Sequence, residues 1–137
     1  MKPRRWNPDV VAPPLGRYSH LAEVPAGHRL VFVAGQLGVG SDGALAGPGA
    51  EAQARRIFAN IEALLAAEGA GPEHLVKLLS LVSGPEHLDG FRAAQGEAFA
   101  KWFPGGDFPA QTLAVVAGLA RPEYVAEVEA VAAVPVG

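Results

Sequence analysis

The sequence predicts an α+β fold, a mixed sheet with two helices packed on one of its faces. Three observations carry this. Residues Gly49 to Glu68 place Ala54, Ile57, Phe58, Ile61, Leu64 and Leu65 at the spacing of one helical stripe. A second helical region opens at Gly84-Pro85 and puts Phe91, Ala94, Ala98, Phe99 and Trp102 on one face. Short apolar and β-branched runs surround both, in the order β-β-α-β-α-β-β, with a hairpin expected at each end. The 137 residues suit one domain, 1–137, large enough to bury a core without staples.

Taken in order, residues 1–17 carry Pro3, Pro8, Pro13 and Pro14 and read as an irregular N-terminal arm, with Trp6 as an anchor. Tyr18 to Val24 is a short strand, and Pro25-Ala26-Gly27-His28 turns the chain. Arg29 to Gly35 is a stronger strand, expected to pair with the first. Gln36 to Gly43 is rich in glycine but lacks the Gly-Lys-Ser/Thr of a phosphate loop, so it reads as a flexible connector. After the first helix Gly69 supplies the stop and Pro72 follows. Leu75 to Val82 is the third strand. Asp89-Gly90 is a point where the second helical region could divide, and Pro104-Gly105-Gly106-Asp107 ends it. Pro109, which cannot donate to a ladder, stands just ahead of Ala110–Val116. Gly118 and Pro122 lead to the last strand, Tyr124–Val134.

Composition excludes several classes of function. There is no cysteine, hence no disulfide framework, thiolate metal site or cysteine nucleophile, and a reducing cytoplasm is the expected setting. The net charge is −3 without a sustained basic run, which argues against nucleic acid as a partner. No apolar h-region follows Lys2, Arg4 and Arg5, and no apolar stretch has the length of a membrane span. His20, His28, His74 and His87 are scattered, so neither a metal nor another cofactor is expected.

The last strand is informative because strand side chains alternate between faces. Val125, Glu127, Glu129 and Val131 share one face, and Ala126, Val128, Ala130 and Ala132 the other. The two carboxylates stand about 6–7 Å apart, two strand rises, on an Ala/Val strand where burying them is costly. One reading pairs both with cations across a subunit interface; the other makes one of them a site residue. With both helices on one side, the opposite sheet face is left bare, and an apolar face of that kind implies a partner subunit.

Several segments together resemble the RidA/YjgF family, also labelled endoribonuclease L-PSP, from about Pro13 to Val134. They are Leu15-Gly16-Arg17-Tyr18-Ser19-His20, Val33-Ala34-Gly35-Gln36, Asn60 to Gly69, Phe108-Pro109-Ala110-Gln111-Thr112 and Glu127 to Ala132. The resemblance implies a chorismate-mutase-like fold and a homotrimer with small-molecule clefts between subunits. It also implies hydrolysis of reactive enamines or imines to 2-keto acids. In the family pattern a tyrosine, a Gly-Gln turn and a C-terminal glutamate line the cleft, matched here by Tyr18, Gly35, Gln36 and Glu127. Glu127 is thereby the candidate catalytic residue, and Tyr18, Gly35, Gln36 and Gln111 the substrate-binding candidates.

One position departs from that pattern. The arginine that grips the substrate carboxylate is Gln111 in this chain. Arginine is a permanently charged planar fork, whereas the glutamine amide is neutral. The exchange costs roughly 1.5–3 kcal/mol, or about 10- to 150-fold in affinity for a carboxylate. An efficient 2-imino acid deaminase is therefore not expected. Arg17, just before Tyr18, is a candidate to return a cation to the cleft. Two functions follow: hydrolysis of a small imine, enamine or related C–N compound, or binding of a metabolite without turnover. The ribonuclease label is the weakest reading, given the acidic balance.

Overall fold

The computed structural model describes residues 1–137. Its strands are β1 (Arg4–Trp6), β2 (Leu21–Glu23), β3 (His28–Gln36), β4 (Leu75–Val82), β5 (Ala110–Val115) and β6 (Ala126–Pro135). Its helices are α1 (Ala50–Ala67) and α2 (Leu88–Trp102). The stop after α1 is a glycine turn: Gly69 takes φ +69° while Gly69 N and Ala70 N donate back to Ala66 O and Leu65 O. Asp89-Gly90 does not divide α2; a single 3-10 turn, Pro85–His87, precedes it instead.

The principal sheet has the order β3-β6-β4-β5. Parallel neighbours need a crossover, and α2 supplies the one that lays β5 beside β4. α1 carries the chain from β3 to β4 across a gap one strand wide. β6 fills that gap, antiparallel to both neighbours. Neither expected terminal hairpin forms. β4 separates β5 from β6, and β2 pairs with β1, Trp6 opposite Leu21, rather than with β3.

The helices cover one face, as expected. Ile57, Phe58, Ile61, Leu65, Phe91 and Phe99 pack on Leu78, Val82, Val128, Ala130 and Ala132 in one buried cluster. The alanines of β6 are why the helices can approach so closely: a larger side chain there would hold them off. The other face is bare, with Phe32 73% and Leu30 49% exposed. Lys77 and Glu129 border the same open hollow as Phe32 and Val131.

The arm is more ordered than its prolines imply, because Arg5 nails it to the body. Its side chain is 1% exposed. Nη1 donates to Asp107 O at 3.0 Å and pairs with Asp107 Oδ2 at 3.2 Å, while Nη2 donates to Leu75 O at 2.7 Å and Glu73 O at 2.9 Å. Burial pulls this guanidinium below its ordinary pKa, and the Asp107 carboxylate opposes the shift. The glycine loop is likewise fastened: Asn60 Nδ2 donates to Val39 O at 2.9 Å, and a Cβ on Gly38 would lie 2.6 Å from Gln53 Cα. Gln53 is fully buried because its amide satisfies Gly47 O, Glu123 O and Val125 N, holding the entry to β6.

Candidate functional site

Beyond Tyr18 the arm runs alongside the start of β5. Ser19 bridges to Ala110 in parallel, and Ser19 N donates to Pro109 O at 3.1 Å. This places Arg17 and Tyr18 beside Gln111. A cavity of about 850 Å³ opens there, lined by Arg17, Tyr18, Gln111 and, from α2, Arg92 and Gln95.

Gln111 shares its face with Leu78, its partner in the β4–β5 ladder, and therefore points to the helix side. Its Oε1 accepts from Ser80 Oγ at 3.1 Å and from Gln95 Nε2, and both donors are buried. Its Nε2 donates to Arg17 O at 3.4 Å. The amide is thus largely occupied within the chain, as a floor to the cavity and a clasp on the arm. Tyr18 accepts at its hydroxyl from Leu15 N at 3.2 Å, which leaves the phenol proton free to donate.

Glu127 lies elsewhere. It stands opposite Leu81 on the bare face of β6. The β3–β6 ladder shifts register between Val33 and Gln36, and this bulge brings Gly35 against the Glu127 carboxylate. A Cβ at residue 35 would collide with that carboxylate, so only glycine leaves it in place. Gln36 folds its amide back onto Ala34 O at 3.0 Å. Neither Glu127 nor Glu129 enters an ion pair within the chain.

The candidates therefore fall into two groups. Arg17, Tyr18 and Gln111 meet at the β5 edge on the helix side; Gly35 and Glu127 meet near the β3 edge on the bare face, while Gln36 stands opposite Val128 in the ladder and so falls on the helix side. No three histidine or carboxylate side chains come together as a metal-holding cluster, and no helix is long and apolar enough to cross a membrane.

The family model described as endoribonuclease L-PSP matches residues 10–134. This chain belongs to the Rid/YjgF family. It is similar to the Rid-family protein YyfB of Yersinia pestis, whose function is unknown, at 31% identity and a TM-score of 0.82 over 96% of this chain and 98% of that one. A Mycobacterium tuberculosis member of the YjgF/YER057c/UK114 family is 28% identical, with a TM-score of 0.61 over 77% of this chain and 79% of its own. TdcF of E. coli, solved with bound serine, shares the fold at 22% identity and a TM-score of 0.68, over 88% of this chain and 90% of that one. No curated protein matches the chain.

The Rid fold is α+β and chorismate-mutase-like, as the resemblance implies. Within it, this Rid chain surrounds Gln111 with groups that the sequence reading did not single out. Arg92, Gln95 and Gly96 are spaced i, i+3, i+4 on α2 and so share a face. The Arg17 guanidinium lies flat on that face, with Cζ, Nη1 and Nη2 each 3.3 Å from where a Cβ would sit on Gly96. The available signal was the interruption of an Ala/Phe helix face by a glutamine and a glycine one turn beyond an arginine.

Proposed function

We propose that this Rid protein assembles as a cyclic homotrimer and hydrolyses a small imine, enamine or related C–N compound in clefts between subunits. One observation carries the reading. The family's site residues are split between opposite edges and opposite faces of one sheet, so a single chain cannot gather them around one molecule. A head-to-tail contact between copies would bring the Glu127 half of one chain to the Arg17–Tyr18–Gln111 half of the next. Such heterologous contacts close into rings. The bare face, with Phe32 and Leu30 uncovered, supports burial at that contact.

In the cleft the Glu127 carboxylate takes a proton from the attacking water as its oxygen bonds to the C=N carbon. That proton passes to nitrogen to give a carbinolamine; the carbinolamine hydroxyl then gives up its own proton, by way of Glu127, to the nitrogen, and the C–N bond breaks to leave a carbonyl compound and ammonia. Gly35 supports this role by leaving room for the carboxylate. Because Gln111 is neutral and held by Ser80, Gln95 and Arg17, the reading excludes efficient turnover of simple 2-imino acids such as 2-iminobutyrate. The cysteine-free sequence supports a cytoplasmic setting.

Light scattering should give three times the 14.1 kDa chain mass. Ammonia release from freshly generated imines tests the chemistry, and subunit complementation tests the shared site. Glu127→Gln and Tyr18→Phe should each be impaired alone and regain activity when dissociated and reassembled together, because mixed rings contain some intact clefts. A dilution-stable monomer, or no recovery on mixing, would overturn the shared cleft. Binding without ammonia release would assign the same cleft to a metabolite-binding module.

A further inference from the structure

The geometry points to a small dianion as the ligand of the cavity at Arg17 and Arg92, its two charges carried on a phosphoryl group or on a pair of carboxylates. This rests on the proposed reading only in taking that cavity as the binding site. The lining contains two arginines and no acidic side chain, and neither arginine enters an ion pair within the chain. Two guanidiniums lining one cavity repel, and an anion between them relieves that repulsion; a neighbouring chain's Glu127 would answer at most one of the two charges.

The uncharged groups point the same way. The Gln111 Oε1 lone pairs are taken by Ser80 and Gln95. The Tyr18 oxygen accepts from Leu15 N, so its proton is what it has left to offer. The groups left to meet a ligand are therefore mainly donors: two guanidiniums, one phenol and the remaining N–H of the Gln111 amide. Oxyanions fit such a set, and the two permanent charges fit a net charge of −2 better than −1.

Arg17 is also held in advance. Its carbonyl is bound by Gln111, the next residues are stitched to β5 through Ser19, and its guanidinium rests on Gly96. Gly96 is the device that allows this, since a side chain at that position would press on the guanidinium. Arg92, one turn earlier, supplies the second charge from a rigid helix. The monocarboxylate grip lost at residue 111 is thus replaced by a pair of cations from two other elements, which changes the class of acid preferred.

Calorimetry of the native protein with inorganic phosphate, malonate and pyruvate tests this. At least one of the two dianions should bind roughly tenfold more tightly than pyruvate, and which one does so separates a phosphoryl from a dicarboxylate ligand. Arg92→Gln, an exposed substitution, should lower that dianion's affinity roughly tenfold and pyruvate's by less than about threefold. Pyruvate binding as tightly as both dianions, or unchanged dianion affinity in Arg92→Gln, would overturn the inference. Glu127→Gln separates it from the proposed catalysis. That variant should keep dianion binding while losing ammonia release; loss of turnover in a protein that binds no dianion would retain the catalytic reading and discard this one.

Discussion

Replacing Gln111 by arginine restores the family pattern in sequence, and the resemblance alone predicts a gain in affinity for 2-keto acids. The structure predicts a loss of stability instead. Ser80 Oγ and Gln95 Nε2 both donate to Gln111 Oε1 from buried positions. Arginine has no acceptor, so both donors lose their partner. Each unsatisfied buried group costs about 1–3 kcal/mol, with the serine at the low end because its hydroxyl can rotate. A third cation beside Arg17 and Arg92 adds repulsion. We expect a loss of about 2–4 kcal/mol, which lowers the Tm of a chain this size by roughly 10 °C. Thermal unfolding by circular dichroism, at fixed protein concentration because assembly contributes to Tm, measures it. Gln111→Glu is the contrast: it keeps an acceptor for both donors and loses only the donor to Arg17 O, so it should cost less stability than Gln111→Arg while halving the positive charge of the cavity and weakening malonate binding. A Gln111→Arg protein as stable as the native one, with tighter pyruvate binding, would refute the reasoning.

Arg5→Ala removes a buried cation from four acceptor contacts and, with Asp107 still paired to Lys2, should cost about 1.5–3 kcal/mol; limited proteolysis within residues 8–17 should then be faster than in the native protein. Gly35→Ala pushes the Glu127 carboxylate aside; ammonia release should fall at least tenfold while dianion binding holds within about twofold. Glu62 accepts from Trp102 Nε1 at 2.6 Å, and this bond, aided by Lys101, holds its carboxyl below the ordinary glutamate pKa. A lowered folded pKa contributes stability above about pH 4.3 that is lost as pH falls through the folded value. The Tm gap between native protein and Glu62→Gln should therefore be constant near neutrality and close in acid; a gap that widens in acid would contradict the assignment.

Much of this was legible from residue order. Ala54, Ile57, Phe58, Ile61 and Leu65 form the buried face of a helix as their spacing predicts, whereas Leu64, read onto the same stripe, is 43% exposed at its margin. Leu75–Val82 is a strand over the full predicted length, and the alternation of β6 separated Glu127 and Glu129 from the alanines beneath the helices. Strand pairing was not legible. β2 has too few side chains to select a partner, and the choice falls to Arg5, which positions β1 through contacts 68 to 102 residues away in sequence. Nor does local pattern reveal that β6 enters the gap between β3 and β4, which is a property of the two crossovers. Arg92 lies off the apolar stripe of α2, and nothing in the residue order sets it apart. Its company, Arg17 laid on Gly96, exists only once the arm has folded back along β5.

The arm has a consequence for how such proteins diverge. Arg17 and Tyr18 come from a segment outside the helix–sheet body, tied down at Arg5 and Ser19 and contributing little to the hydrophobic cluster. Changes between those two ties can swap the chemistry of one cavity wall while leaving the packing of the body untouched. Part of the ligand preference is thereby written in a stretch separate from the packing of the body. Selection can revise the first without re-solving the second. A library randomised at residues 15–18 would be expected to yield folded proteins at high frequency, with differences concentrated in what they bind.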